Sequence, residues 1–197
     1  MQQKVLPYKY EAEKSTSTEM TALGGLPVYL DLIHVSGLRS SIEKHLGIRR
    51  NGQGWTDSQV IIALILLNLS GGEHVEDLRV LESDKGFCRL IREAEHTGLT
   101  RKARCLLAHR FRKKRQQAFP SPSSVFRYLT AFHTPEQEDL RKPGKAFIPA
   151  SNRHLSGLPR INKDLLAFLQ DNQPGKTATL DMDATLIETT KQAAQYC

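Results

Sequence analysis

The sequence predicts a mainly α protein: a helical region occupying most of the chain, followed near its C-terminal end by the first strand or strands of an α/β domain. Three observations carry this expectation. Apolar residues recur at three- and four-residue spacing between about residues 24 and 95, the mark of helices with one buried face. Thr56 and Gln59 have the spacing of a capping box just before the long apolar run VIIALILL, and Gly71-Gly72 closes that run. Beyond residue 175 the period becomes two.

Each element follows from local signals. GGLPVYLDLIHVSGLRSSIEKHLGI, residues 24–48, alternates short apolar patches with turn residues and predicts two short helices. A buried helix is expected over residues 57–70, with Leu64 and Leu67 in the core. EHVEDLRVLESD places Val75, Leu78 and Leu81 at helical spacing. Gly86 reads as the break before a further helix, FCRLIREAE, with Phe87, Leu90 and Ile91 inward. Successive helices joined by short turns imply a bundle. In PSPSSVFRYLTAFH, Ser123 or Ser124 is the expected N-cap of a helix presenting Val125, Phe126 and Leu129. Residues 134–160 contain four prolines and predict a linker with one turn of helix. Residues 161–171 predict a helix closed by Pro174-Gly175. In TATLDMD, residues 177–183, Ala178, Leu180 and Met182 share one face while Thr177, Thr179, Asp181 and Asp183 share the other, as in a strand with one buried face. The implied organisation is a helical region over 1–150, a linker and helix over 151–175, and the start of a second domain over 176–197.

Composition excludes several classes. The 197 residues, 39% hydrophobic and 25% charged, can bury a core and remain soluble. The apolar run at 60–67 falls far short of the roughly 18 residues that a membrane span needs, and the first residues carry no signal-type apolar stretch, so a cytoplasmic protein is expected. Cys88, Cys105 and Cys197 form no C-x-x-C pair and read as reduced thiols. Cys88, His96, Cys105 and His109 do not have the spacing of a common zinc finger, and no P-loop motif occurs.

The net charge of +7 is local. RKARCLLAHRFRKKR, residues 101–115, holds eight Lys and Arg and no acid, leaving 20 basic against 21 acidic residues elsewhere. On one helix, Ala103, Leu107 and Phe111 would form an apolar stripe, with Arg101, Arg104, Arg112 and Arg115 on an adjoining face. Such a density of uncompensated cations is the footprint of a phosphate-binding surface, and Arg101, Lys102, Arg104, Arg110, Arg112, Lys113, Lys114 and Arg115 are the expected contacts to double-stranded DNA. A basic helix that only keeps the protein soluble is the competing reading.

The two aspartates of LDMDAT raise a separate question. At positions i and i+2 of a strand, Asp181 and Asp183 share a face about 7 Å apart, a spacing that suits a hard divalent cation such as magnesium. A strand end that faces solvent or caps the next turn accounts for the same pair without a metal. LDMDATL resembles the D-x-D-x-T motif of haloacid-dehalogenase-type phosphatases, which would make Asp181 the nucleophile and Asp183 the acid/base. Only fourteen residues follow Asp183, and their sole acid is Glu188. Across nearly its whole length the chain resembles the N-terminal part of bacterial insertion-sequence transposases of the DDE type. GLPVYLDLI, WTDSQVIIALILLNLSGGEHVEDLRVL, the basic middle, PSPSSVFRYL and LDMDAT carry that likeness. It implies that LDMDAT lies on the first strand of an incomplete ribonuclease-H-like domain. It also implies that Asp183, followed by Ala184 and Thr185, is the first catalytic, metal-binding carboxylate, with Asp181 a neighbour that assists metal binding. The complete enzyme would use Mg2+ held by three carboxylates for cleavage and strand transfer, acting on transposon ends and target DNA, with a homodimer as candidate assembly. The family's second aspartate and its glutamate lie downstream, so the resemblance reads this chain as cut short and catalytically incomplete. A non-catalytic helical DNA-binding protein would share the basic segment and differ at the aspartates.

Overall fold

The computed structural model describes residues 20–50, 52–111, 115–140, 142, 147, 149–175 and 177. These form a mainly α structure with eight α-helices: α1 Leu26–Val35, α2 Leu38–His45, α3 Asp57–Leu69, α4 Leu78–Ser83, α5 Lys85–His96, α6 Arg101–His109, α7 Pro122–Leu129 and α8 Gly157–Asn172. Short 3₁₀ segments at Val75–Asp77, Thr130–Phe132 and Pro135–Leu140 lie between them, and no strand occurs among the described residues. The strand expected around Asp181 and Asp183 lies outside the described residues. No described helix is long and apolar enough to cross a membrane.

α3 buries more of its residues than any other described helix. Thr56 and Gln59 make the expected capping box: the Gln59 N–H donates to Thr56 Oγ1 at 3.2 Å and the Thr56 N–H to Gln59 Oε1 at 2.9 Å. Val60, Ala63, Leu66 and Leu67 are buried, whereas Leu64 is only half-buried. The apolar run is therefore covered on more than one face but not uniformly. α1 brings Leu26, Leu30 and Ile33 to the core, then Gly37, at φ 73°, reverses the chain into α2, which adds Leu38 and Ile42. α4 contributes Leu78 and Leu81, and α5 contributes Phe87, Cys88 and Ile91. Burial pushes the Cys88 thiol up to about 11, which keeps it protonated and unreactive at neutral pH.

Two capping residues differ from expectation. Asp84, not a break at Gly86, starts α5 by accepting the Phe87 N–H at 2.8 Å, and Gly86 lies within the first turn. Ser121 caps α7, ahead of Pro122, because proline at the first helical position has no N–H to leave unsatisfied. The residues that α7 buries are Val125 and Tyr128, while Phe126 is 49% exposed. α8 begins at Gly157, four residues earlier than periodicity suggested, because it docks on α2 there. A Cβ at Gly157 would stand 2.7 Å from the His45 carbonyl oxygen, and Ser41 and His45 hold Asp164 at 2.7 and 2.9 Å.

Asp57, at the start of α3, is fully buried. Its carboxylate accepts the backbone N–H groups of Ile48 and Arg49 at 2.9 and 3.1 Å, and burial raises its pKa despite those donors. Asp57 thereby fixes the loop between α2 and α3, which carries Arg49 and Arg50.

Candidate nucleic-acid interface

The basic segment is not one helix. α6 stops at His109, and the chain turns so that Phe111 meets Trp55 edge-to-face at 5.4 Å. The turn separates the predicted contacts into groups with different roles. Arg101, Lys102 and Arg104 project from α6 and are exposed. α6 is capped by Thr100, which accepts the Ala103 N–H at 3.2 Å, and it buries none of its residues. Its first turn holds no acid, so these cations stand at the positive end of the helix dipole. A cation there opposes helix formation by roughly 0.3–1 kcal/mol. Charge placed against helix stability, and added to the dipole's own positive end, concentrates positive potential at one surface point.

Arg110 is built into the fold. Its Nε, Nη1 and Nη2 donate to the carbonyls of Gly54, Arg50 and Arg49 at 2.9, 3.3 and 2.6 Å, and the Gly54 N–H returns a bond to the Arg110 carbonyl at 2.7 Å. Arg115 is more deeply committed. Its guanidinium forms an ion pair with buried Glu95, lies 4.7 Å from the Trp55 ring centroid and 5.5 Å from that of Phe111. Gln59 Nε2 donates to the same carboxylate at 2.9 Å. Arg115 thus neutralises a buried acid rather than facing an external anion. Arg112, Lys113 and Lys114 lie outside the described residues, as do Asp181 and Asp183.

Two clefts flank α6. One, of about 550 Å³, lies between its N-terminal end and α5, lined by Arg89, Arg92, Glu93, His96 and Arg104 among others. Arg89 is paired with Glu93 at 3.3 Å, and Arg92 donates to the Gln116 carbonyl at 2.6 Å. The other, of about 410 Å³, lies at the C-terminal end of α6, where Arg49, Arg110 and Arg127 meet Ser121 and Ser124. No family model, no curated protein and no solved structure matches the chain. Function must therefore be read from these surfaces.

Arg89 and Arg92 did not stand out in the sequence because acids surround them, and Arg127 did not because it is an isolated charge in an apolar stretch. The Arg49-Arg50 pair beside Asn51-Gly52 was the one local sign that a basic loop exists. Among the described residues no group of three His, Cys, Asp or Glu side chains converges as a metal site would.

Proposed function

We propose that the chain acts in DNA transposition as part of a DDE-type transposase, the helical region binding insertion-sequence ends and Asp183 supplying the first catalytic carboxylate. The observation that carries the DNA-binding part is the exposed cluster Arg101, Lys102 and Arg104 at the N-terminal end of α6, without a neighbouring acid in its first turn and flanked by arginine-lined clefts. Such an arrangement suits the phosphate backbone, which supplies sequence-independent affinity and positions a protein on the duplex. The catalytic part rests on the resemblance that runs through WTDSQVIIALILLNLSGG to LDMDAT. In the complete enzyme Asp183, with Asp181 beside it, would help to hold Mg2+, which supplies charge stabilisation for attack on a phosphodiester.

A salt titration of duplex binding tests the DNA-binding part. Arg101→Gln, Lys102→Gln and Arg104→Gln together are expected to flatten the log-log dependence by about 0.9 for each phosphate no longer neutralised, up to about 2.7, whatever the duplex sequence. An unchanged slope would mean that α6 is a solvated surface, and the proposal would fall.

A further inference from the structure

We infer that the cleft formed by Arg49, Arg110 and Arg127 seats a phosphate of the DNA backbone, at a place distinct from the α6 surface and built from three parts of the chain. The inference rests on the DNA-binding reading above and names where a second phosphate goes. Arg49 comes from the loop that Asp57 holds, Arg110 from the end of α6 and Arg127 from α7.

No acid is among the described residues that line this cleft. The ion pairs His45–Asp164, Arg89–Glu93 and Arg115–Glu95 lie elsewhere. Arg110 donates to three carbonyls, which satisfy three of its five N–H groups but leave its charge uncompensated. Arg127 spends its Nε on the Ser123 carbonyl at 3.2 Å. Arg49 lies 5.8 Å from the Tyr128 ring centroid, so that an aromatic surface supports one side of its guanidinium. Asp57 accepts the backbone N–H groups of Ile48 and Arg49, and Glu43 accepts that of Ser58, so neither carboxylate is bonded to a cleft guanidinium. Three like charges held in one concavity favour an anion, and guanidinium groups suit the paired oxygens of a phosphate.

The chemistry favours a backbone phosphate over a free nucleotide. Of the two aromatics in the wall, Trp55 is 7% exposed with Arg115 over its ring, and half-buried Phe111 meets Trp55 edge-to-face with the same guanidinium 5.5 Å from its ring, so both are engaged within the fold rather than presented to a base. The Ser121 oxygen caps α7 by accepting the Ser124 N–H, which leaves its O–H able to donate. The Ser124 hydroxyl is a second neutral donor beside the guanidinium groups. Since α6 rises about 1.5 Å per residue, its nine residues set this cleft about 14 Å from the Arg101 end. That distance is comparable to the roughly 12 Å width of a major groove, so the two ends of α6 can reach different phosphates.

The test compares three variants by salt titration on one duplex, with thermal unfolding as the check on folding. Arg49→Gln with Arg127→Gln is expected to reduce the slope by up to about 1.8, and Arg49→Lys with Arg127→Lys to retain it, since the charge is kept. Inorganic phosphate serves as the second probe. If the glutamine pair leaves the slope unchanged while the α6 triple variant lowers it, the cleft does not touch DNA and the wider reading survives. If the wild-type chain binds no duplex at low salt, both fall. A thermal shift by inorganic phosphate that disappears in the glutamine pair, with no change in the DNA slope, would make the cleft a free-anion site and overturn the inference.

Discussion

Arg115 and Arg101 carry the same charge but differ in what surrounds them, and that difference sets their roles. Arg101 and Lys102 are exposed, and Arg104, also exposed, gives its Nε to the Leu99 carbonyl at 3.2 Å; around Arg115 there are Glu95, Trp55 and Phe111. An ion pair of this burial is not in itself a strong source of stability, but removing one partner leaves the other charged and desolvated. Arg115→Met is therefore expected to cost about 3–5 kcal/mol in chemical denaturation, because buried Glu95 would lose the guanidinium that pairs with it and keep the neutral Gln59 amide as a donor. Arg115→Met combined with Glu95→Leu should recover most of that stability. At a temperature where the variants are folded, the salt dependence of DNA binding should be unchanged. A cost under about 0.5 kcal/mol together with a slope lowered by about one would return Arg115 to the DNA-contacting set. The run of basic residues could not reveal this role. The acid that neutralises Arg115 stands 20 positions upstream, and the carbonyls that hold Arg110 stand 56 to 61 positions upstream.

The helices were legible where a local signal determined them and less so where a tertiary contact did. The α3 capping box formed as expected because its hydrogen bonds lie within four consecutive residues. The start of α8 shifted because Gly157 approaches the His45 carbonyl, a contact between elements far apart in sequence. The same distinction governs α3 itself. Its apolar run gives no sharp periodicity, so sequence placed Leu64 and Leu67 alike in the core, whereas only Leu67 is buried, with Leu66 beside it fully enclosed. Leu67→Ala is expected to cost about 2–5 kcal/mol through reduced burial and the cavity left behind, and Leu64→Ala distinctly less, since solvent can occupy part of the vacated volume. Denaturant unfolding of both variants decides this. Equal costs would mean that the two faces of α3 are equally enclosed and that its placement in the bundle is wrong.

At the scale of the molecule, positive charge and the D-x-D motif are separate in sequence, and DNA binding and DNA chemistry should separate experimentally in the same way. The excess charge of the chain falls within residues 101–115, and the arginines that supplement it, Arg49 and Arg127, come from the helical region rather than from the segment bearing Asp181 and Asp183. The basic half of the candidate site was visible as composition, but its division into an exposed helix end, a structural clamp and a cleft depended on how α6 ends. Duplex affinity should then be independent of the two aspartates. In a chain joined to the remaining acids of a DDE domain, Asp183→Asn is expected to abolish Mg2+-dependent strand transfer, since the amide keeps the shape but loses the charge that holds the ion. It should leave duplex binding and its salt slope intact. Asp181→Asn should cost less, because the resemblance assigns the ligand to the aspartate before Ala184-Thr185. The α6 triple variant should lose binding and strand transfer together, because the chemistry requires the duplex to be positioned first. Measuring binding and strand transfer on all three variants gives the decisive comparison: activity that survives Asp183→Asn but not Asp181→Asn would exchange the two roles, and activity that survives both would remove the carboxylate pair from the mechanism.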